Sequence, residues 1–308
     1  VVDRVLESAP PEAAEGVMIV DVHYHLDERM ESVDRLVREM DRCGIDRVAL
    51  IPTMCDVLHA ASSVTSTLLS IGRWALMSRV PAMGRALYRS TVTRSGQISL
   101  LGTKLDVYPE PDHGPLARAM ADHPDRFFGW VFVNPLVHDP VAVAEAYLEE
   151  PGWIGVKTHP FWHCYATREL DDTAAYCADK GLPLLLHLGG DGERGDFRWL
   201  PDRHPKLRLL YAHAGVPFFR ELWDDVKRRD NVFVDLSSPY LDEPLRRRVV
   251  RTLGASKCLY GSDGPYGYPD RDGMYDHHAI LDEVQRLPIT AAEMDQILGG
   301  NFEAMTEG

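Results

Sequence analysis

From Val17 onward, short and almost continuously apolar runs alternate with amphipathic stretches, and eight such runs stand out. They are "VMIVDVH" from Val17, "RVALIPT" from Arg47, "FFGWVFVNP" from Phe127, "IGVKTHP" from Ile154, "LPLLLHL" from Leu182, "LRLLYAH" from Leu207, "NVFVDLS" from Asn231 and "KCLYGSD" from Lys257. Runs of this length, apolar at successive positions, read as strands buried on both faces, the habit of a parallel sheet. The stretches between them read as helices. "RMESVDRLVREMDRCG" stops on Gly44, "DPVAVAEAYLEE" opens on an Asp suited to capping, and "DDTAAYCADKG" stops on Gly181. Eight such units predict the α/β class and, within it, a closed (β/α)8 TIM barrel. An open doubly wound sheet would carry a glycine-rich phosphate turn after an early strand, and the sequence has none.

One segment breaks the rhythm. About 70 residues separate the second run from the third, roughly twice what one barrel unit needs. Between Val57 and Leu105 there is no Asp or Glu, while Arg73, Arg79, Arg85, Arg89, Arg94 and Lys104 supply cations. We therefore read residues 1–308 as a single barrel domain with 53–112 as a helical lid insertion. Because it follows the C-terminal end of a strand, it should lie over the barrel mouth, where active sites of this architecture form. The competing readings are a packing or dimerisation element and, more remotely, a surface for lipid or an acidic carrier protein.

The ends of the strands carry the chemistry. The first run ends in His23 and His25, the fourth in Lys157 and His159, the fifth in His187, the sixth in His213 and the eighth in Asp263. One residue separates His23 from His25, so on a strand both imidazoles face the same way. A single histidine in such a place is ordinarily a hydrogen-bonded structural residue. Five of the chain's 13 histidines at the ends of strands that a barrel gathers round one axis point instead to a metal site. Neutral imidazole and carboxylate suit one divalent ion, with Zn expected and Mn or Fe as alternatives.

In these residues the chain resembles the amidohydrolase superfamily, and more narrowly the amidohydrolase-2 branch of metal-dependent hydrolases and aminocarboxymuconate-semialdehyde-type decarboxylases. "DVHYH" resembles the family's HxH, "LPLLLHLG" its fifth-strand histidine, "LLYAHAG" its sixth-strand histidine and "LYGSDGPYG" its eighth-strand aspartate. "HPDRFFGWVFVNP" and "ILGGNFEAM" resemble further landmarks. The resemblance implies a metal bound by His23, His25, His187 and Asp263, with His213 an acid/base or electrostatic residue or a ligand to a second ion. Asp263 would also take a proton from metal-bound water, whose pKa a divalent ion lowers from 15.7 to roughly 7. Lys157 resembles, imperfectly, the lysine that bridges two ions in two-metal members. His159 is expected beside the substrate or behind the ligands, and Trp162, His163, Arg73 and Arg79 are candidate substrate contacts. Asp21 is expected to be structural, Ser237 and Ser238 to form a wall, and His277 to lie on the surface.

Composition narrows the partners. A formal net charge of -14 argues against nucleic acid, whose phosphates require clustered cations. No run is long and apolar enough to span a membrane, and the first residues lack the pattern of a secretion signal. Five cysteines without any CxxC are expected to be reduced. The expected protein is a cytoplasmic, homodimeric, metal-dependent hydrolase that cleaves an amide, ester or lactone of a small molecule that is bulky, acidic or carrier-bound. A non-oxidative decarboxylase is the alternative, and a non-catalytic binding barrel the second one.

Overall fold

The computed structural model describes residues 18–57, 63–100 and 103–307. Among them the chain forms strands β1 (Val20–Leu26), β2 (Arg47–Pro52), β3 (Ile98–Leu100), β4 (Thr103–Leu105), β5 (Phe127–Phe132), β6 (Trp153–Thr158), β7 (Pro183–Leu186), β8 (Arg208–Tyr211), β9 (Val232–Asp235) and β10 (Cys258–Leu259). Apart from the hairpin β3–β4, they make one sheet in the order β1-β2-β5-β6-β7-β8-β9-β10, parallel throughout. Its ends nearly close. Val22 N donates to Tyr260 O at 3.1 Å, Asp263 N to His23 O at 2.7 Å and His25 N to Gly264 O at 2.6 Å. The eight apolar runs are the eight strands of a TIM barrel.

Two apolar layers account for the uninterrupted strand pattern. Val20, Val22, Ala49, Ile51, Phe132, Leu185, Leu210 and Leu259 pack inside the barrel, with Phe302 and Met305 from the C-terminal helix. Trp130 joins them and satisfies its indole N–H on Val22 O at 3.0 Å. Tyr24, Leu26, Val48, Leu50, Leu184 and Leu209 face the surrounding helices. Strict alternation along β1 would put Asp21 on the face of His23 and His25. The pairing register with β2 shifts between Asp21 and Tyr24, so Val20 and Val22 point inward before the shift and the two histidines after it. This irregularity lets one strand fill the core below and furnish the mouth above.

Local signals end the helices where the sequence predicts. In α1 (Val33–Cys43), Ser32 accepts from Arg35 N, and Gly44 closes the helix at φ 70°. The insertion holds α2 (Ser63–Met77) and α3 (Pro81–Ser90) and then the β3–β4 hairpin, so it is not purely helical as expected. Residues 58–62 and 101–102 of the insertion, and residues 1–17, lie outside the described residues. α2 and α3 meet closely because position 84 is glycine: a Cβ there would stand 2.5 Å from Leu76 N. Two cations of the insertion fasten it to the barrel. Arg73 donates to Asp242 at 2.9 Å and to Pro239 O at 2.8 Å, and Arg85 pairs with Glu221 at 3.1 Å. No helix among the described residues is long and apolar enough to cross a membrane.

Candidate active site

β1 delivers His23 and His25, the turn after β8 delivers His213, and the segment after β10 delivers Asp263. One ligand atom each from His23, His213 and Asp263 lies within 4.8 Å of the others. The Asp263 carboxylate is the hub: Oδ1 is 3.5 Å from His23 Nε2 and 3.4 Å from His25 Nε2, and Oδ2 is 3.8 Å from His213 Nε2. His213 (φ 52°) and Asp263 (φ 61°) adopt the left-handed backbone region, which costs a non-glycine residue on the order of 1 kcal/mol. Such strain concentrates where a side chain must be aimed.

Behind this hub, the sequence analysis passed over Asp235, at the end of β9 and fully buried. Its Oδ2 accepts from His23 Nδ1 at 2.8 Å. Its Oδ1 accepts from His213 N at 2.8 Å, Ser237 N at 3.1 Å and Ser237 Oγ at 2.5 Å. Because a carboxylate only accepts, His23 carries its proton on Nδ1. Ser237 spends its own proton on Asp235, so its oxygen accepts from His213 Nδ1 at 2.7 Å. Both imidazoles therefore turn bare Nε2 lone pairs toward the Asp263 carboxylate.

Electrostatics agree with that arrangement. Burial pushes His213 down to about 4 despite the opposing pull of Asp263 and Asp235, and it pushes His25 down as well. Burial would raise Asp263, but the neighbouring imidazoles, His213 foremost, outweigh it and hold the carboxyl well below its usual range. Asp235 is held low likewise, its burial outweighed by His23. Buried imidazoles gathered round an ionised carboxylate are the donor set that suits a divalent cation. Asp21, across the strand, accepts from His23 N and Ser262 N at 3.0 Å each, and so ties β1 to the β10 end.

The remaining candidates surround this core. His187 Nε2 is 2.6 Å from the hydroxyl of Tyr88, a residue of α3, and its ring lies 4.8 Å from His213. It thus adjoins the compact donor set without belonging to it. Lys157 is completely buried with no hydrogen-bond partner for Nζ among the described residues, and burial pushes its amine down to about 8. His159 stacks on His187 at 4.0 Å, while its Nδ1 accepts from Trp162 N at 3.1 Å. His163 is buried and bonds Tyr108 O at 3.0 Å. The two arginines turn away: Arg73 is spent on Asp242 and Pro239, and Arg79 is exposed. His277, expected on the surface, is buried, because Glu31 beneath the loop accepts from its Nε2 at 2.9 Å.

Sequence reasoning missed Asp235, Tyr88 and Tyr240, whose ring lies 5.5 Å from His213. For Asp235 the signal was present, since it ends the seventh barrel strand. Tyr88 and Tyr240 had none, because only the folded insertion and the loop after β9 bring them to the mouth.

A comparison with curated proteins finds no match. Solved structures share the fold. They include an uncharacterised TIM-barrel protein from Bordetella bronchiseptica (16% identity, 94% of this chain, 98% of that one, TM-score 0.61). Another is a dihydroxybenzoic acid decarboxylase from Polaromonas with bound manganese and 2-nitroresorcinol (14%, 94% and 97%, 0.56). A third is a probable 2-pyrone-4,6-dicarboxylic acid hydrolase from Acinetobacter baumannii with bound citric acid (12%, 94% and 99%, 0.58). At these identities the likeness shows the architecture. A family model described as Amidohydrolase, by contrast, matches residues 20–305, from the first residue of β1 to the C-terminal helix. A match of that extent places the chain in the amidohydrolase family, and it is an enzyme.

Proposed function

We propose that the protein is a metal-dependent hydrolase that cleaves an amide, ester or lactone bond of a small molecule. The observation that carries this reading is the ionised Asp263 carboxylate, set against the Nε2 atoms of His23, His25 and His213. His23, His25 and Asp263 would hold one divalent cation. In this geometry His213 stands nearer to them than His187, the ligand expected from the family resemblance. When bound, such an ion polarises a carbonyl and makes water acidic near neutral pH. Asp263 takes the proton from the attacking water and returns it to the leaving group. Asp235 and Ser237 keep His23 and His213 in the tautomer that offers Nε2, and the α3 helix closes the site with Tyr88. The manganese in the Polaromonas enzyme makes Mn as reasonable an occupant as Zn.

A second reading, non-oxidative decarboxylation, is favoured by Lys157, whose buried and unpartnered amine is available to a leaving carboxylate. Arg73, a candidate substrate contact, is engaged by Asp242 and Pro239 instead. The experiment is turnover in 18O-labelled water with the metal-loaded enzyme on a panel of p-nitrophenyl esters and lactones, beside 2,6-dihydroxybenzoate. Label in the product acid, reduced about 100-fold or more by Asp263→Asn, supports hydrolysis. Release of CO2 from the benzoate without turnover of the esters and lactones transfers the site to the second reading.

A further inference from the structure

The structure points to a substrate site outside the barrel mouth, within the insertion. A cavity of about 240 Å3 lies between α2 and α3, walled by Leu68, Leu69, Gly72, Leu76, Gly84 and Leu87. Its outer rim is open, with Leu68 40% and Leu87 42% exposed, whereas Tyr88 and Leu76 at its inner end are buried. Tyr88 and Tyr240 also line it. They meet edge to face at 5.7 Å; Tyr88 bonds His187, and the Tyr240 ring is 5.5 Å from that of His213. The cavity is therefore one aromatic ring removed from the candidate metal site.

Three of its polar neighbours are already occupied. Ser90 Oγ donates to Leu87 O at 2.6 Å, Thr91 Oγ1 to Tyr88 O at 2.8 Å, and Arg73 is held by Asp242. Position 84 is glycine because α2 lies against it, but a Cβ at position 72 would meet only Leu87 Cδ2, at 4.0 Å. The space at Gly72 is thus open. An apolar void beside a reaction centre recognises shape and hydrophobicity, with polar specificity left to the adjoining site.

We propose that this cavity holds the apolar tail, alkyl or aryl, of the substrate whose reacting carbonyl lies at Asp263. The inference rests on the hydrolase reading for its reacting end. At about 30 Å3 per water-sized group, the void accommodates a tail of about eight non-hydrogen atoms. Tyr88 and Tyr240 stand between the cavity and the site, so a substrate that reaches both must pass between their rings, and the exposed leucines of the rim admit the tail from outside.

The probes are n-alkanohydroxamates from acetohydroxamate to decanohydroxamate, which carry a metal-seeking head, and n-alkanols, which do not. Binding to the metal-loaded full chain is read by calorimetry. Affinity in both series should rise about fourfold per methylene and level off near eight carbons. Gly72→Leu, which fills the void, and Leu87→Gln, which wets the exposed rim and leaves the fold intact, should each flatten that slope. A slope absent from both series, or one that survives both variants, overturns the proposal. Hydroxamates no tighter than alkanols of equal length, with the slope preserved, would sink the metal reading while supporting the cavity.

Discussion

Replacing Asp235 by Asn tests how the site is wired. Four hydrogen bonds converge on the two oxygens of Asp235, three on Oδ1 and one, from His23 Nδ1, on Oδ2. An amide oxygen can keep the three bonds at Oδ1, which leaves the amide nitrogen facing His23. Two donors cannot share that bond, so His23 must move its proton to Nε2, where it now opposes Asp263 and any cation. The fold should survive, since a single bond to a buried charged group is worth about 1.5–3 kcal/mol. Metal affinity should fall about 10- to 100-fold, the range for losing a partner behind a metal-binding histidine. Competition with a chromogenic chelator measures this, with the urea midpoint as the folding control. A variant that binds metal as tightly as the parent would show that His23 does not act through Nε2, and the tautomer argument would fall.

Other parts of the structure make their own predictions. His113 accepts Phe132 N–H on its Nε2 at 2.8 Å, and burial pushes it from 6.5 down to about 4. The unfolded chain therefore takes up that proton first, and stability is lost as pH falls from 6.5 toward 4. Urea unfolding should show about 2 kcal/mol lost between pH 7 and pH 5 from this group, and His113→Gln should flatten that step. Glu31, buried between Tyr24, His277 and Arg35, should cost about 3–5 kcal/mol when replaced by Ala, read from the same unfolding curves. A Cβ at Gly190 would stand 3.1 Å from Arg89 Cβ and 3.2 Å from both Arg85 O and Tyr88 Cδ1. Gly190→Ala should then push α3 outward, costing about 1–3 kcal/mol and lowering kcat, and Tyr88→Phe, which leaves the buried His187 Nε2 without that partner, should lower kcat at a cost of about 1 kcal/mol. The insertion exposes Ile71, Trp74, Val80 and Met83, the face we propose for a homodimer, and Trp74→Asp should then leave a monomer in sedimentation.

Much of the barrel was legible because each of its strands is buried on both faces, and such strands write uninterrupted apolar runs. Capping residues were legible too, since Asp139, Gly44 and Gly181 act within a few residues of themselves. The candidate site was partly legible, because strand ends are where a barrel gathers side chains. Asp235 escaped notice for the adjacent serines, although the same rule points to it. What sequence could not supply was contact across long separations. The Tyr88–His187 bond spans 99 positions and depends on an insertion whose docking is set by Arg73, Arg85 and Gly190. Arg73 and Arg79 read as substrate contacts, whereas in the fold Arg73 meets Asp242 on the barrel rim and Arg79 is exposed. His277 read as surface because its partner, Glu31, lies 246 positions away.

The most direct test of the central claim is metal content per chain, by elemental mass spectrometry of protein purified without chelators or added metal. About one divalent ion per chain is expected, lost on replacing His23 and Asp263 by Ala. Protein that carries none, and takes up none when Zn or Mn is added back, would contradict it.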